Sequence, residues 1–188
     1  MPLQVPREHR LGVVVRRHLP ILGDDPVVNL VAELRPARAR GYLRKVDLEA
    51  VCHWKSPRAM ALIKSNSPAA VRTATRTALH LHDEALRIEA LTRLRGVSIP
   101  MASAILTALS PRRYAVIDIR VWQLLHALGV VTAKRGGTAL NADNWCQFLA
   151  IVRRLAHSHQ VSPRTVERAL FAAHKSFQIG RLYDSVTS

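Results

Sequence analysis

The spacing of apolar residues constrains the fold of this chain more than any other feature of its sequence. After Pro26, apolar residues recur three and four positions apart, and almost no stretch alternates between apolar and polar residues. This spacing matches the 3.6-residue period of an α-helix, whereas a half-buried strand needs a period of two. The sequence therefore predicts an all-α fold.

Capping residues give the expected starts of the helices. Ser, Asp or Asn precedes several of the periodic segments, and such residues are preferred helix N-caps. The first 25 residues show no clear pattern, so we expect a poorly defined segment over 1–25 and a single helical domain over 26–188. The predicted helices include 47–54, 57–64, 68–81, 84–94 and 142–159, with a last helix opening at Ser162-Pro163.

Net charge indicates the class of partner. The 188 residues include 28 Lys and Arg against 13 Asp and Glu, a formal net charge of +15. With 48% hydrophobic residues the chain has enough apolar material for a core, which excludes disorder as its main state. A strongly positive protein binds polyanions because each neutralised phosphate releases counterions. Nucleic acid is the leading candidate, although charge alone also fits a basic ribosome-associated protein or a protein that merely has a high pI.

Other composition features predict neither membrane nor cofactor. The longest apolar runs fall short of the roughly 20 residues that cross a bilayer, and the N-terminus lacks a signal-peptide pattern, so we expect a cytoplasmic protein. Cys52 and Cys146 are the only cysteines, too few for a disulfide framework or an iron–sulfur cluster. The closest histidine pairs are two residues apart and diverge on a helix, so we expect no metal.

A glycine turn separates two predicted helices at about residues 84–109. The first helix ends at Leu94 and is followed by Arg95-Gly96-Val97-Ser98. A hairpin this short needs a residue that tolerates positive φ or close packing, as glycine does. The unpaired N–H groups at the start of the second helix form a site for an anion such as a DNA phosphate. Taken alone, the same tetrapeptide also fits an ordinary helix–helix turn.

Asp118 is the candidate catalytic residue. It stands where a predicted helix begins, and it is the one acidic residue between Glu89 and Asp143, a stretch with seven Lys or Arg residues. A lone carboxylate among so many cations is a helix N-cap or a catalytic group, and the two roles are compatible. Trp122, four residues later on the same side of the helix, is expected to pack beneath it.

Two motifs at a fixed interval carry a resemblance to a known family. The first is Leu94-Arg95-Gly96-Val97 with Ala102 and Ile105-Leu106, and the second is Val116-Ile117-Asp118-Ile119-Arg120-Val121-Trp122. In this combination the chain resembles the helix-hairpin-helix DNA glycosylase superfamily over about residues 84–129. The resemblance implies a two-lobed helical bundle with an active-site cleft between the lobes, as in small monofunctional members without an iron–sulfur cluster.

The resemblance also implies roles for individual residues. Asp118 is the catalytic carboxylate, which stabilises the positive charge that builds on deoxyribose when the bond to the base breaks. Bifunctional members carry a lysine where this chain has Pro100, so a lyase step by that route is excluded. Ser98 replaces the second glycine of the family's hairpin. The residues implied to contact DNA are Arg95, Gly96, Val97, Ser98, Met101 and Arg120.

The segment Cys52-His53-Trp54-Lys55-Ser56-Pro57-Arg58 supplies a candidate base pocket. Trp54 has the face on which an extruded base would stack, and Lys55 and Arg58 would meet phosphate or a base edge. This string also resembles one found in small glycosylase-like proteins. The alternative is a core tryptophan beside two basic residues at a helix end.

The sequence thus predicts a monofunctional DNA glycosylase of base excision repair. We expect it to act as a monomer on double-stranded DNA, to flip a damaged or modified base and to hydrolyse its N-glycosidic bond, which requires Asp118 to face a cavity. A non-catalytic helix-hairpin-helix protein that recognises DNA structure or modification is the alternative, and an RNA- or ribosome-associated protein is a third. Uracil, oxidised guanine, alkylated purines and modified phage-type bases are all open as substrates.

Overall fold

All regular secondary structure in the computed structural model is helical, over the described residues 11–177. This confirms the all-α prediction, since no strand occurs in that range. No helix within it is long and apolar enough to cross a bilayer. Two short 3₁₀ turns lie at Leu19–Ile21 and Pro57–Ala59. The α-helices are α1 Leu11–His18, α2 Val28–Glu33, α3 Arg35–Arg40, α4 Lys45–Lys55, α5 Met60–Lys64, α6 Pro68–His80, α7 Glu84–Thr92, α8 Ile99–Leu109, α9 Ile119–Ala127, α10 Ala142–His159 and α11 Pro163–Phe177.

Side-chain caps fix the starts of three helices that the sequence predicts, whereas the helix predicted to begin at Asp47 begins at Lys45, with Asp47 inside its first turn. The Ser67 hydroxyl accepts the first-turn N–H of α6, and the Asp83 carboxylate does the same for α7. Asn141 caps α10, which has the predicted bounds, and α11 begins at the predicted proline. An N-cap side chain satisfies N–H groups that have no partner inside the helix, so these three residues mark where their helices begin.

The N-terminal segment contains a helix that sequence patterning misses. The segment predicted to be undefined, 1–25, includes α1, which packs on α11. Val14 and Val15 are fully buried, and the His18 ring lies 3.2 Å from the Ser176 hydroxyl. A helix of eight residues with three consecutive valines shows no visible period, so only tertiary contact reveals it. Residues 1–10 lie outside the described residues.

Helix α8 is the centre of the core. Ten of its eleven residues are buried, all except Pro100, so burial extends around the whole helix, beyond the apolar stripe that the sequence predicts. Helices α2, α3, α4, α7 and α10 all contact it. A helix that is hydrophobic on every side must be covered on every side. Packing against α8 therefore fixes the positions of the surrounding helices relative to one another.

The turn between α7 and α8 is fixed by a glycine and an asparagine. Gly96 has φ +79°, and a Cβ on it would lie 2.8 Å from the Leu62 Cβ. Asn66 donates to the Arg95 carbonyl and accepts the Arg95 N–H, each at 2.9 Å, so its side chain pairs with the turn as a neighbouring strand would. The turn therefore has both a restricted conformation and a fixed attachment to the segment between α5 and α6.

Replacing Gly96 tests how tightly this turn is packed. We expect Gly96→Ala to destabilise the protein by roughly 1–3 kcal/mol, because alanine at positive φ is strained and its methyl group would strike Leu62. Gly129→Ala is the matched control: Gly129 has φ +69° but no neighbouring atom within 4 Å, so it carries only the backbone strain. Urea unfolding of both variants measures the difference. Equal losses of stability would show that contact with Leu62 contributes nothing.

Candidate active site

Asp118 is positioned by helix α8 and by its own helix. It is the N-cap of α9, and its Oδ1 accepts the Arg120 N–H at 3.0 Å. The preceding residue, Ile117, donates its N–H to the buried Ser103 hydroxyl of α8 at 3.1 Å. Ser103 in turn donates to the Pro100 carbonyl at 2.8 Å. The first turn of the helix that follows the glycine turn is thus linked by hydrogen bonds to the approach to Asp118.

A cavity of about 500 Å³ opens beside Asp118. This volume falls in the range of about 300–1,000 Å³ that is usual for small-molecule sites. The Asp118 side chain is 24% exposed, so it faces the cavity and not the protein interior. The cavity is formed by α4, by α11, by the segment before α9 and by the chain before α2. Its lining residues are Leu22, Pro26, Trp54, Lys55, Val116, Asp118, Arg164, Glu167, Arg168, Phe171, Ala172 and Lys175.

Lys55 and Asp118 form an ion pair in this cavity. The Lys55 Nζ lies 2.8 Å from the Asp118 Oδ2, and the Lys55 side chain is 19% exposed. Burial raises the pKa of Asp118, but the Lys55 ammonium and the Arg120 N–H outweigh that effect and hold the pKa below its ordinary value. Asp118 is therefore ionised at neutral pH, as a group that stabilises positive charge or accepts a proton must be.

A second set of charges forms the α11 wall of the cavity. Arg164 pairs with Glu167 one turn later and donates to both oxygens of Asp25, at 2.9 and 3.0 Å. Its guanidinium also lies 5.4 Å from the Trp54 ring centroid, within cation–π range. Burial raises the pKa of Glu167 against the opposing effect of Arg164. Trp54 is thus held at the cavity wall by a fixed cation.

The structure brings together some of the predicted site residues and separates others. Trp54, Lys55 and Asp118 line one cavity, whereas Arg58 is exposed on the turn Pro57–Ala59, beyond the proline that ends α4, and does not line it. The Arg120 guanidinium lies 5.1 Å from the ring of Phe171, a cavity residue. At the glycine turn, Arg95 and Ser98 are exposed, Gly96 is half-buried, and the side chains of Val97 and Met101 are buried.

The sequence does not identify Asp25 or the charged residues of α11 as part of the site. The pair Arg164 and Glu167 has the i,i+3 spacing of a helical ion pair, which is visible in the sequence but is common on any helix surface. Nothing in the sequence indicates that α11 faces Trp54 and Lys55. Asp25 lies at the end of the segment for which the sequence predicts no structure. Trp122 behaves as predicted, since it is fully buried and donates to the Ala133 carbonyl.

Other surface cavities and side-chain clusters provide fewer groups that could take part in a reaction. An open groove of about 650 Å³ is lined by Arg112, Arg113, Arg153 and His157, and none of its described lining residues is acidic. It supplies positive charge but no carboxylate to accept a proton. Over residues 11–177, no three His, Cys, Asp or Glu side chains converge as metal ligands would. The Asp118 cavity is therefore the best candidate for an active site.

His174 of α11 gives a pH-dependent test of the packing between α11 and α9. It is 1% exposed, its Nε2 lies 3.1 Å from the Gln123 Oε1, and burial together with Arg120 lowers its pKa to about 4. The unfolded chain binds this proton below about pH 6.5, so stability falls as the pH drops from 6.5 to 4. We expect His174→Gln to reduce the fall in the free energy of unfolding between pH 7 and pH 4 by roughly 2–4 kcal/mol. Urea unfolding at the two pH values measures this. If the stability of the wild type and of His174→Gln depended on pH in the same way, this prediction would be wrong.

Comparison with known proteins identifies no relative. No protein-family model, no curated protein and no solved structure matches this chain. A fold alone does not determine a function. The function is therefore inferred from the chemistry of the Asp118 cavity together with the resemblance of its sequence motifs.

Proposed function

We propose that this chain is a monofunctional DNA glycosylase-like enzyme that flips a damaged or modified base and hydrolyses its N-glycosidic bond. The observation that carries the proposal is the Asp118 cavity. It combines an ionised carboxylate, an aromatic side chain and a lysine around about 500 Å³ of space. The formal net charge of +15 supports a polyanionic substrate. On this proposal the enzyme acts as a monomer on double-stranded DNA at the nucleoid, in the cytoplasm, as part of base excision repair.

In this proposal α7, residues 93–98 and α8 are the helix-hairpin-helix, and the cavity is the cleft between two lobes. Ser98 makes no side-chain cap on α8, so the first-turn N–H groups are left for a DNA phosphate, except at Pro100. Val97 and Met101 are buried, so they would contact DNA through backbone atoms only. Arg95 is exposed and would add a charge-assisted contact to the same strand.

The chemistry follows from the charge of Asp118. Cleavage of the N-glycosidic bond builds positive charge on the sugar, which a nearby carboxylate stabilises while it orients or deprotonates the attacking water. At an effective dielectric constant near 20, opposite charges about 4 Å apart interact by roughly 4 kcal/mol, equivalent to about a thousandfold in rate. Base flipping and contacts with the departing base would supply the remainder.

In the proposed site, Trp54 and Lys55 contact the extruded base, whereas Arg58 lies outside the base pocket. Trp54 is half-buried and lines the cavity, where its ring offers a surface for an extruded base. Arg58 lies on the surface, so a phosphate outside the cavity suits it better than a base edge.

One observation favours the non-catalytic alternative. Asp118 caps α9 and pairs with Lys55, and both contacts would also serve a protein that only binds DNA. Such a protein would bind duplexes and release no base, and it would keep its affinity when the carboxylate is replaced. The two functions are separated by the following variant.

Replacing the carboxylate tests the catalytic role directly. We expect Asp118→Asn to bind duplex DNA as the wild type does, because asparagine also caps helices, and to release base at least about a thousandfold more slowly. Asp143→Asn, in the exposed first turn of α10, is the matched control and keeps full activity. Single-turnover assays on duplexes with one modified base, followed by alkali, give the rates. Equal rates for wild type and Asp118→Asn would remove Asp118 from the mechanism.

The product distinguishes a monofunctional enzyme from a bifunctional one. Pro100 has no amine, so we expect intact strands that carry abasic sites and break only after alkali treatment. Denaturing gels run with and without alkali measure this, and borohydride should trap no covalent complex. Strand breakage without alkali would contradict the prediction and would identify Lys55 as the first amine to replace.

A further inference from the structure

The charged groups around the cavity carry an inference about its substrate. Four lining residues are basic and two are acidic, and each acidic side chain already has a cationic partner. Asp118 pairs with Lys55, and Glu167 pairs with Arg164. No carboxylate among the described lining residues is therefore unpaired and ready to receive a base that already carries a positive charge.

The aromatic rings of the cavity are also in contact with cations. The Trp54 ring has Arg164 at 5.4 Å from its centroid, and the Phe171 ring has Arg120 at 5.1 Å and Lys175 at 5.8 Å. Binding of a cationic base by an aromatic cage needs rings without such neighbours, because a second cation beside the first is repelled. The cavity thus disfavours cationic bases both through its paired carboxylates and through rings that already contact cations.

We propose that the cavity accepts neutral bases that depart as anions, with Lys55 neutralising the departing base, and that it excludes cationic N-alkylated purines. The class that fits is the neutral pyrimidine-2,4-dione, such as uracil and its 5-substituted derivatives, whose N1 anion is delocalised onto two carbonyl oxygens. This inference rests on the proposed glycosylase function and assigns its substrate class.

The position of Lys55 supports this assignment. Its Nζ is 2.8 Å from the Asp118 oxygen that would face the sugar. Reacting atoms lie about 3–3.5 Å apart in a productive complex, so an anomeric carbon at that distance from Asp118 brings its bond to the base within reach of the same ammonium group. One side chain of the pair then meets the positive charge that develops on the sugar, and the other meets the negative charge on the base.

The ion pair also completes the proton balance. The bond between the anomeric carbon and the base nitrogen breaks, and its electron pair leaves with the base. Water forms the new carbon–oxygen bond and gives its proton to Asp118, while Lys55 gives a proton to the departing base. The carboxyl proton then returns to the amine across the 2.8 Å contact, so both side chains regain their starting states.

A substrate panel tests the class assignment. Duplexes with a single uracil, 5-fluorouracil or 7-methylguanine are incubated with excess full-length protein, and abasic sites are revealed by alkali. We expect release of both pyrimidines and no release of the cationic 7-methylguanine. Release of 7-methylguanine with both pyrimidines untouched would overturn this inference and leave the glycosylase proposal standing. Duplex binding with no release of any base would overturn both.

A Lys55 variant tests the leaving-group role. We expect Lys55→Met to slow uracil release about a hundredfold or more. The factor by which it slows 5-fluorouracil release should be at least about tenfold smaller, because the more acidic base is a better leaving group and needs less stabilisation by Lys55. Lys55→Arg should restore part of the rate. The control, Lys64→Met, changes an exposed lysine at the end of α5 and leaves both rates unchanged. Equal losses on both substrates would assign Lys55 a structural role and overturn the inference.

Discussion

The ion pair between Lys55 and Asp118 is the interaction on which the proposed site depends. It joins the last residue of α4 to the N-cap of α9, and these two residues are 63 positions apart in the chain. A partly buried pair of this kind adds little net stability, because the desolvation of both charges offsets much of their attraction. Net stability therefore gives little reason to hold these charges at a cavity wall, whereas the proposed reaction would need a carboxylate and an ammonium group side by side.

Helix α8 connects the two halves of the proposed machinery, the glycine turn and the segment that carries Asp118. Its first turn follows the glycine turn, and its Ser103 hydroxyl holds the Ile117 N–H next to Asp118. Because α8 is surrounded by core contacts, a displacement at the turn is transmitted to the carboxylate with little loss. A DNA backbone bound at the turn would thus be fixed relative to Asp118, as near-attack geometry requires.

The local parts of this structure follow from the sequence, and the long-range parts do not. Ser67, Asp83 and Asn141 mark helix starts because a cap depends on only a few neighbouring residues. Likewise Asp118 and Lys55 can be selected as candidates from residue type and local charge. Their contact cannot be predicted in this way, since it depends on the packing of α4 against α8 and on the hydrogen bond from Ile117, just before α9, to Ser103 of α8. The charges of α11 are missed for the same reason, and α1 is missed because its helical order comes from contact with α11.

The pairing of Asp118 with Lys55 in the free protein has a consequence for the proposed reaction. A nucleotide that entered the cavity would have to weaken this contact, and the lost attraction would oppose binding of the ground state, whose sugar and base are both neutral. In the proposed reaction, the sugar becomes positive beside Asp118 and the base becomes negative beside Lys55 as the N-glycosidic bond breaks. Each charge of the original pair then has a new partner of opposite sign, and this compensation exists only in the transition state. Because Asp118 and Lys55 neutralise each other in the free protein, the pair is better suited to lowering the activation barrier of the proposed bond cleavage than to binding the substrate.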